Sequence, residues 1–212
     1  FYLLAPTGRA AKVLSKYTEK KTSTIHKKIY YSKVDKSGNF KFTLKTNKIK
    51  NSVFIIDEAS MISDFSSSND LFKKNSFLKD IIDFIDFKTN SKLIFIGDTA
   101  QLPPVNQTIS PALDSDFLKN SYNLKINEYE IVDVVRQTEE SGILYNATAI
   151  RNCIINKELN FKFKKFNDII SLLDGFEIQE SIEKSFNEIG RDNSIIIVRS
   201  NKRANLLSFR SP

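Results

Sequence analysis

Val53-Phe54-Ile55-Ile56-Asp57-Glu58 begins with four apolar residues and ends in two carboxylates. Leu93-Ile94-Phe95-Ile96-Gly97-Asp98 repeats that form, with an apolar run followed by an acid. Continuous apolar runs are typical of strands buried on both faces of a parallel sheet, and ligands bind at the carboxyl edge of such sheets. The two stretches therefore predict parallel strands that deliver their polar residues to one pocket.

The surrounding sequence alternates strand and helix patterns, which predicts an α/β fold with a parallel sheet. Tyr2–Ala5 is predicted to be a strand, followed by a turn and by a helix whose apolar face contains Ala10, Val13, Leu14 and Tyr17. Ser23 or Thr24 is the predicted N-cap of a second helix. Residues 30–50 alternate in the manner of a β-hairpin. Helices are also predicted around residues 77–85, after Ser141 and before Gly190, with a further strand at 194–198.

The positive charge is concentrated at one end of the sequence. The net charge is +7, but residues 1–50 contain 13 Lys or Arg against Glu19 and Asp35, a balance of +11 that leaves −4 for the rest. Such a basic segment attracts nucleic-acid phosphates, although composition alone is equally compatible with a solvated lysine-rich surface.

The single cysteine, Cys153, excludes an internal disulfide, so we expect a cytoplasmic protein. Because the only methionine is Met61, we also expect the sequence to be an excerpt of a longer chain.

The residues after the two predicted strands suit nucleotide hydrolysis. An aspartate such as Asp57 can hold Mg²⁺ through water, and the adjacent Glu58 can accept a proton from an attacking water. Gly97-Asp98 permits a close turn, Gln101 can bond a phosphate oxygen or the water, and Pro103-Pro104 stiffens the loop. The apolar-Asp-Glu pattern is weak alone, because an acidic turn after a strand explains it equally well. No glycine is followed by lysine, so the phosphate loop G-x-x-x-x-G-K-[ST] is absent from these 212 residues.

Several motifs together resemble those of RecD-like superfamily 1 DNA helicases. The resemblance spans residues 1 to about 199, and its most specific part combines G-D-x-x-Q-L-P-P-V with a downstream Arg-Gln. The motifs that carry it are Ala5-Pro6-Thr7-Gly8-Arg9-Ala10-Ala11-Lys12-Val13-Leu14, Ser23-Thr24-Ile25-His26, Ile56-Asp57-Glu58-Ala59-Ser60-Met61, Gly97-Asp98 through Val105, and Val135-Arg136-Gln137 with Ser141 and Ile143.

The resemblance implies a parallel RecA-like P-loop NTPase sheet in a first lobe at 1–130, a hairpin insertion at about 30–50, and the start of a second lobe at 131–212. It implies ATP and Mg²⁺ as cofactors, with Asp57 as the Mg²⁺ aspartate and Glu58 as the catalytic glutamate. Gln101 would sense the γ-phosphate, Arg136 would stabilise it, and Gly97 and Asp98 would lie beside the nucleotide. The implied contacts to single-stranded DNA are Pro6, Thr7, Arg9, Thr24 and His26, with Lys33, Lys36, Lys41 and Lys45 on the hairpin.

Some of these residues also have ordinary structural interpretations. His26 is expected to pack or hydrogen-bond at a helix start rather than to act in catalysis, and Arg136 could form a surface ion pair. Tyr30, Tyr31, Phe40 and Phe42 could stack on bases, although a small hairpin core is the favoured interpretation. The Phe-rich run at 161–166 is expected to be ordinary packing.

The sequence therefore predicts part of an ATP-dependent DNA helicase that moves along single-stranded DNA. The 5′ to 3′ direction is usual for this branch, and the implied setting is DNA repair or recombination, with nuclease or recombination subunits as candidate partners. Two alternatives remain open. One is a PhoH-like P-loop ATPase, and the other is a non-enzymatic nucleic-acid-binding remnant in which the acid pair is vestigial.

Overall fold

The protein is described by a computed structural model that covers residues 1–34, 38, 40–64, 76–131, 141–158, 160–200 and 202–205. The chain forms two compact units, Phe1–Ile131 and Val132–Pro212. No helix in the described ranges combines the length and the apolar character needed to cross a membrane.

The first unit contains a four-stranded, all-parallel sheet, which confirms the predicted α/β class. Its strands are β1 (Tyr2–Ala5), β2 (Thr22–Thr24), β5 (Val53–Ile56) and β6 (Lys92–Phe95), in the order β2-β1-β5-β6. The register pairs Leu4 with Ile56 and Ile56 with Phe95. Since the strands are parallel, their carboxyl ends lie along one edge of the sheet.

The predicted hairpin is also present. It consists of β3 (Tyr30–Val34) and β4 (Phe40–Leu44), which pair antiparallel. Its first residue belongs to the main core, because Tyr30 is buried and its hydroxyl donates a 2.7 Å hydrogen bond to Asp80 Oδ2. Burial and this bond raise the pKa of the Tyr30 phenol far above its ordinary value. Tyr31 is 59% exposed, but Phe42 and Leu44 of β4 are partly buried and pack against the same core, with the Phe42 ring edge-on to Tyr30.

In the described part of the first unit, the helices that accompany these strands are α1 (Gly8–Thr18), α2 (Ile25–Ile29), α3 (Phe77–Ile85) and α4 (Ser115–Tyr122). Thr24 caps α2 and Ser76 caps α3 by accepting backbone N–H groups three residues ahead. Leu78, Ile81 and Ile85 of α3 are buried against Phe54 and Ile56 in one apolar core. The helix therefore covers the sheet with its periodic apolar face, as the sequence predicted.

The predicted apolar face of α1 is correct only in part, because Ala10 and Leu14 are half-buried but Val13 and Tyr17 are exposed. Val13 and Tyr17 are 47% and 83% exposed, and the buried residue of this helix is Ala11. The α1 helix contacts β1 and β2. Because alanine is small, the helix can pack closely on the sheet at Ala11, and the larger side chains of α1 are not needed for this contact.

The second unit contains α5 (Gly142–Asn156) and α6 (Gly175–Glu188), and Ser141 caps α5 as predicted. The strand predicted at 194–198 is wrong, since these residues form no strand. Ile195 and Ile197 are 68% and 87% exposed. β-branched residues favour a strand, but a strand also needs a hydrogen-bonded neighbour, and no described residue pairs with this run.

Candidate nucleotide-hydrolysis site

The sheet order places the predicted motifs side by side. The residues that follow β2, β1, β5 and β6 come to the same carboxyl edge, because the register matches Ala5 with Thr24 and Leu4 with Ile56. Along this edge lie, in order, Thr24, the Pro6-Thr7 turn, the Asp57-Glu58 pair and the Gly97-Asp98 turn. Motifs that are far apart in sequence therefore line one edge.

Hydrogen bonds fix the acid pair at the end of β5. The Asp57 N–H donates to the Leu4 carbonyl at 3.0 Å, and Asp57 Oδ1 accepts from the Glu58 N–H at 3.0 Å. Glu58 has φ 55 and ψ 39, in the left-handed region that non-glycine residues seldom occupy. This conformation ends the strand sharply and starts the 3₁₀ turn Ala59–Met61. Both acids are half-buried, so they remain open to a ligand.

The loop after β6 packs directly on the turn after the acid pair. A Cβ atom added to Gly97 would lie 3.0 Å from the Ser60 nitrogen and 2.9 Å from Leu113 Cδ1, so only glycine fits without a shift. Asp98 closes the next turn, since its Oδ1 accepts from the Ala100 N–H at 2.9 Å. Ser60 Oγ lies 3.4 Å from Gln101 Oε1 and donates a long hydrogen bond to it. The structure therefore brings the acid pair and the Gln101 loop together.

Ser110 is a structural residue that the sequence reasoning missed. Its buried hydroxyl lies 2.8 Å from the Ala59 carbonyl and 2.7 Å from the Ile62 carbonyl, so it holds the turn that follows Glu58. Its oxygen also accepts from the Ala112 N–H at 3.3 Å. Ser110-Pro111 has the form of a helix start, which is a local signal for the cap. Nothing local signals the bonds to the acid loop.

Two of the predicted DNA contacts are helix caps. Thr7 Oγ1 accepts from the Ala10 N–H at 3.1 Å, and Thr24 Oγ1 accepts from the Lys27 N–H at 3.2 Å. Pro6 is half-buried in the turn before α1, and Arg9 is exposed in its first turn.

His26 packs against aromatic rings, as the structural interpretation predicted. Its ring is stacked on Phe77 with a centroid distance of 4.4 Å and lies 5.9 Å from the Tyr30 ring. Burial lowers the pKa of His26 below its ordinary value of 6.5. The side chain thus belongs to the aromatic packing between α2 and α3, and a DNA contact by this residue stays a prediction.

The predicted hairpin lysines have different environments. Lys33 is exposed on β3. The Lys45 ammonium donates to the carbonyls of Lys27 and Lys28 at 2.7 and 3.3 Å, so it caps the end of α2. Desolvation, and then repulsion from Lys45, lower the pKa of Lys28. The predictions for Lys36, the Lys41 side chain and Arg136 lie outside the described part of the structure.

The donor atoms at the edge suit one hard cation shared with a ligand. Carboxylate oxygens are the groups that Mg²⁺ prefers, and it is usually held by one or two carboxylates together with substrate phosphates. Within the described ranges, no group of three His, Cys, Asp or Glu residues could form an all-protein metal site. A half-buried carboxylate such as Asp57 is chemically suited to a Mg²⁺ ion that is also held by substrate phosphates.

Comparison with protein families identifies this arrangement. Residues 1–107, which contain the acid pair and the six strands of the described residues, match the family described as AAA domain. The chain belongs to this AAA domain family. Its parallel sheet is accordingly that of a P-loop, RecA-like fold, and both the family match and the similarities below support a place in the helicase-like superfamily.

Three curated proteins are similar to most of the chain. An uncharacterized protein of Acanthamoeba polyphaga mimivirus is 28% identical over 76% of this chain and 33% of its own length. The RecBCD enzyme subunit RecD of Buchnera aphidicola subsp. Acyrthosiphon pisum is 26% identical over 80% of this chain and 28% of the subunit. The RecD of the subspecies Schizaphis graminum is 29% identical, over 91% and 36%. The chain thus spans about a third of the length of these relatives.

Proposed function

We propose that this chain is part of an ATP-dependent helicase-like motor that moves along single-stranded DNA. The observation that carries the proposal is the junction of the two strand ends, where the Asp57-Glu58 turn contacts the Gln101 loop through Ser60. A site that must both hydrolyse a nucleotide and report its loss needs such a connection. The AAA domain match and the RecD similarity support it.

The two acids divide the work of hydrolysis. Asp57 would hold Mg²⁺, which neutralises charge on the phosphate oxygens when nucleotide is bound. Glu58 would orient the attacking water and accept its proton. The bond from the Glu58 N–H holds the Asp57 carboxylate, and the left-handed backbone at Glu58 sets where its side chain leaves the turn. Fixed carboxylates lose little entropy when the reacting groups align.

Gln101 would couple the nucleotide to the DNA. Its side chain is exposed, and its loop is tied to the acid turn by Ser60 and stiffened by Pro103-Pro104. A change at the γ-phosphate would move this loop as one piece. Arg136 would reach the same phosphate, and Gly97 and Asp98 would form the turn beside it.

The DNA would lie along the same edge and over the hairpin. Pro6, Thr7 and Arg9 follow β1, which pairs with β5, and Thr24 ends β2 on the other side of β1. They therefore follow or end strands at the same sheet edge as the acid pair. The basic residues 1–50 supply the attraction to phosphate. From the motif resemblance to RecD-like superfamily 1 helicases, we propose 5′ to 3′ movement, a role in DNA repair or recombination, and nuclease or recombination subunits as partners. The unit Val132–Pro212 would begin the second RecA-like lobe.

Substitution of Glu58 tests the catalytic assignment. The experiment uses the protein that carries this chain together with a Gly-Lys-Thr phosphate loop, because the 212 residues alone should hydrolyse little ATP. Glu58→Gln should lower DNA-stimulated ATP hydrolysis by about 10²- to 10⁴-fold while nucleotide binding persists. Glu128→Gln, at an exposed residue of the same unit, is the matched control. Unchanged turnover would reject Glu58 as the base.

Charge reversal on the hairpin tests the DNA path separately. Lys33→Glu should weaken oligonucleotide binding and reduce the slope of log affinity against log salt by about 0.7. Lys36→Glu and Lys41→Glu should add to this effect. Lys45→Glu also removes the cap on α2, so its folding must be checked by circular dichroism. Lys88→Glu, exposed elsewhere in the unit, is the control. Titrations that show no change would take the hairpin off the DNA path.

A further inference from the structure

The second unit contains a short segment in which phenylalanine and lysine alternate. Residues 161–166, here the Phe–Lys segment, read Phe-Lys-Phe-Lys-Lys-Phe. The sequence alone favours packing for these rings, but the structure exposes part of them. Phe163 is 69% exposed, and Phe161 and Phe166 are half-buried. The segment therefore presents aromatic surface to solvent.

A buried asparagine fixes the backbone of this segment. Asn146 on α5 is only 3% exposed. Its Nδ2 donates to the Lys164 carbonyl at 2.9 Å, and its Oδ1 accepts from the Lys164 N–H at 2.9 Å. One side-chain amide thus satisfies both backbone groups of Lys164, as a neighbouring strand would. The segment is held rigidly against the helix before any ligand arrives.

The side chains of the Phe–Lys segment make two separate sets of contacts. Phe161 and Phe163 contact each other edge to face, with centroids 4.8 Å apart. Lys164 and Phe166 instead contact Tyr145, at 4.6 Å for the ammonium and 5.4 Å for the ring. Lys162 and Lys165 are exposed. Open ring surface therefore lies within a few residues of exposed ammonium groups.

The charge of the segment contrasts with its surroundings. Three lysines fall within residues 162–165, while residues 174–188 contain Asp174, Glu177, Glu180, Glu183 and Glu188 against Lys184 alone. Residues 51–212 as a whole are net negative. The Phe–Lys segment is thus a local cationic site, and a polyanion fits it better than a neutral or cationic partner.

We propose that the Phe–Lys segment is a second binding site for single-stranded nucleic acid, with Phe163 stacking on a base and Lys162, Lys164 and Lys165 contacting phosphates. Exposed aromatic rings beside cations are how proteins bind unpaired strands without reading sequence. This site lies in Val132–Pro212 and does not depend on ATP hydrolysis or on the hairpin. A duplex suits it less, because its bases are already stacked. A membrane surface suits it less as well, since the rings lie on a pinned irregular segment and not on the apolar face of an amphipathic helix.

The absence of tryptophan from the chain allows a direct measurement. In the Phe163→Trp variant of the full chain, the single indole should be quenched when a (dT)₁₅ oligonucleotide is added, and a 15-base-pair duplex should quench it less at equal phosphate concentration. Phe176→Trp is the matched control, because Phe176 is 87% exposed but lies on the acidic helix. Equal quenching of both variants, or equal quenching by duplex, would overturn the stacking assignment.

Loss-of-contact variants provide the second measurement, by fluorescence anisotropy of labelled (dT)₁₅. Phe163→Ala should weaken binding about five-fold or more, and Phe176→Ala should not. Replacing Lys162, Lys164 and Lys165 by Gln should lower the salt slope by about 2, at about 0.7 per phosphate contact. Lys184→Gln is the control.

Unchanged affinity and an unchanged salt slope would overturn the proposal. It would also be overturned if the indole of Phe163→Trp responded to phosphatidylserine vesicles and not to the oligonucleotide. Loss of hydrolysis in Glu58→Gln has no bearing on these outcomes.

Discussion

The two compact units bury different kinds of side chain. In Phe1–Ile131 the buried positions are mostly apolar and include Phe54, Ile56, Ile81 and Ile85. In the described part of Val132–Pro212 no hydrophobic side chain is buried, and the buried polar side chain there is Asn146. The first unit is therefore stabilised by removal of apolar area from water, and the second by directional hydrogen bonds around α5.

In the second unit, hydrogen bonds to Asp168 fix the residue at which α5 begins. Asp168 accepts from the Ser141 hydroxyl and from the N–H groups of Gly142 and Ile143 at 3.1 to 3.2 Å. Desolvation alone would raise the pKa of the Asp168 carboxyl, but the hydrogen bonds together outweigh it and lower that pKa. A Cβ atom on Gly142 would lie 2.3 Å from Phe166, so the helix start is packed against the segment by close contact. Directional hydrogen bonds and close contacts therefore position the start of α5, more than burial of apolar area does.

The same substitution in both units would test the comparison most strongly. Phe54 is fully buried, stacked on Tyr2 at 5.1 Å and edge-on to Phe84 at 6.0 Å. Phe54→Ala should lower the free energy of unfolding by about 3–5 kcal/mol, since it removes buried area and leaves a cavity. Phe163→Ala should change it by less than about 0.5 kcal/mol, as for most surface substitutions. Urea denaturation of the two variants measures both values, and similar losses would contradict the division between the units.

A smaller effect is expected when the polar clamp of the second unit is removed. Asn146→Ala leaves the Lys164 N–H and carbonyl and the Gly142 carbonyl without this partner, at a cost of about 1–3 kcal/mol. Amide hydrogen exchange should become faster at Lys164, while the β1 and β5 amides keep their protection. Asn152→Ala, exposed on the same helix, is the control. If exchange also accelerated throughout the sheet, the two units would not be stabilised separately.

Local sequence patterns predicted the elements that carry strong periodicity. β1, β5, β6, the hairpin, α1, α2, α3, α5 and α6 were predicted from apolar runs, alternation and caps, although half of the predicted apolar face of α1 is exposed. The strand β2 (Thr22–Thr24) was not, because three polar residues carry no apolar signal. The helix α4 (Ser115–Tyr122) was also missed, since Phe117 and Leu118 alone give little helical periodicity. At 194–198 a strand was predicted where the structure has none, because an apolar run predicts a strand whether or not a partner strand exists.

The candidate site was predictable only in part. The acid pair and the Gln101 loop follow apolar runs, so parallel strand order is enough to predict that they meet. The bonds of Ser60 and Ser110 connect residues that are 41 and about 50 positions apart, and no local pattern contains them. Thr7 and Thr24 carry a cap signal and a motif resemblance at once, and the structure explains the cap without deciding the DNA contact.

The smallest expected effect is on the pH dependence of folding stability. It concerns the first unit alone, because His26 is the only histidine in the chain and lies in that unit. Burial lowers its pKa below 6.5, so the folded state favours the neutral ring. The contribution to stability is present above about pH 6.5 and is lost as the pH falls through the lower pKa of the folded state. His26→Phe should remove this part of the acid sensitivity and keep the stacking on Phe77. Nuclear magnetic resonance of the single imidazole gives the folded pKa, and urea denaturation from pH 7.5 down to pH 5 gives the stability profile. A folded pKa above 6.5, or identical profiles for the two proteins, would contradict a desolvated ring in the apolar unit.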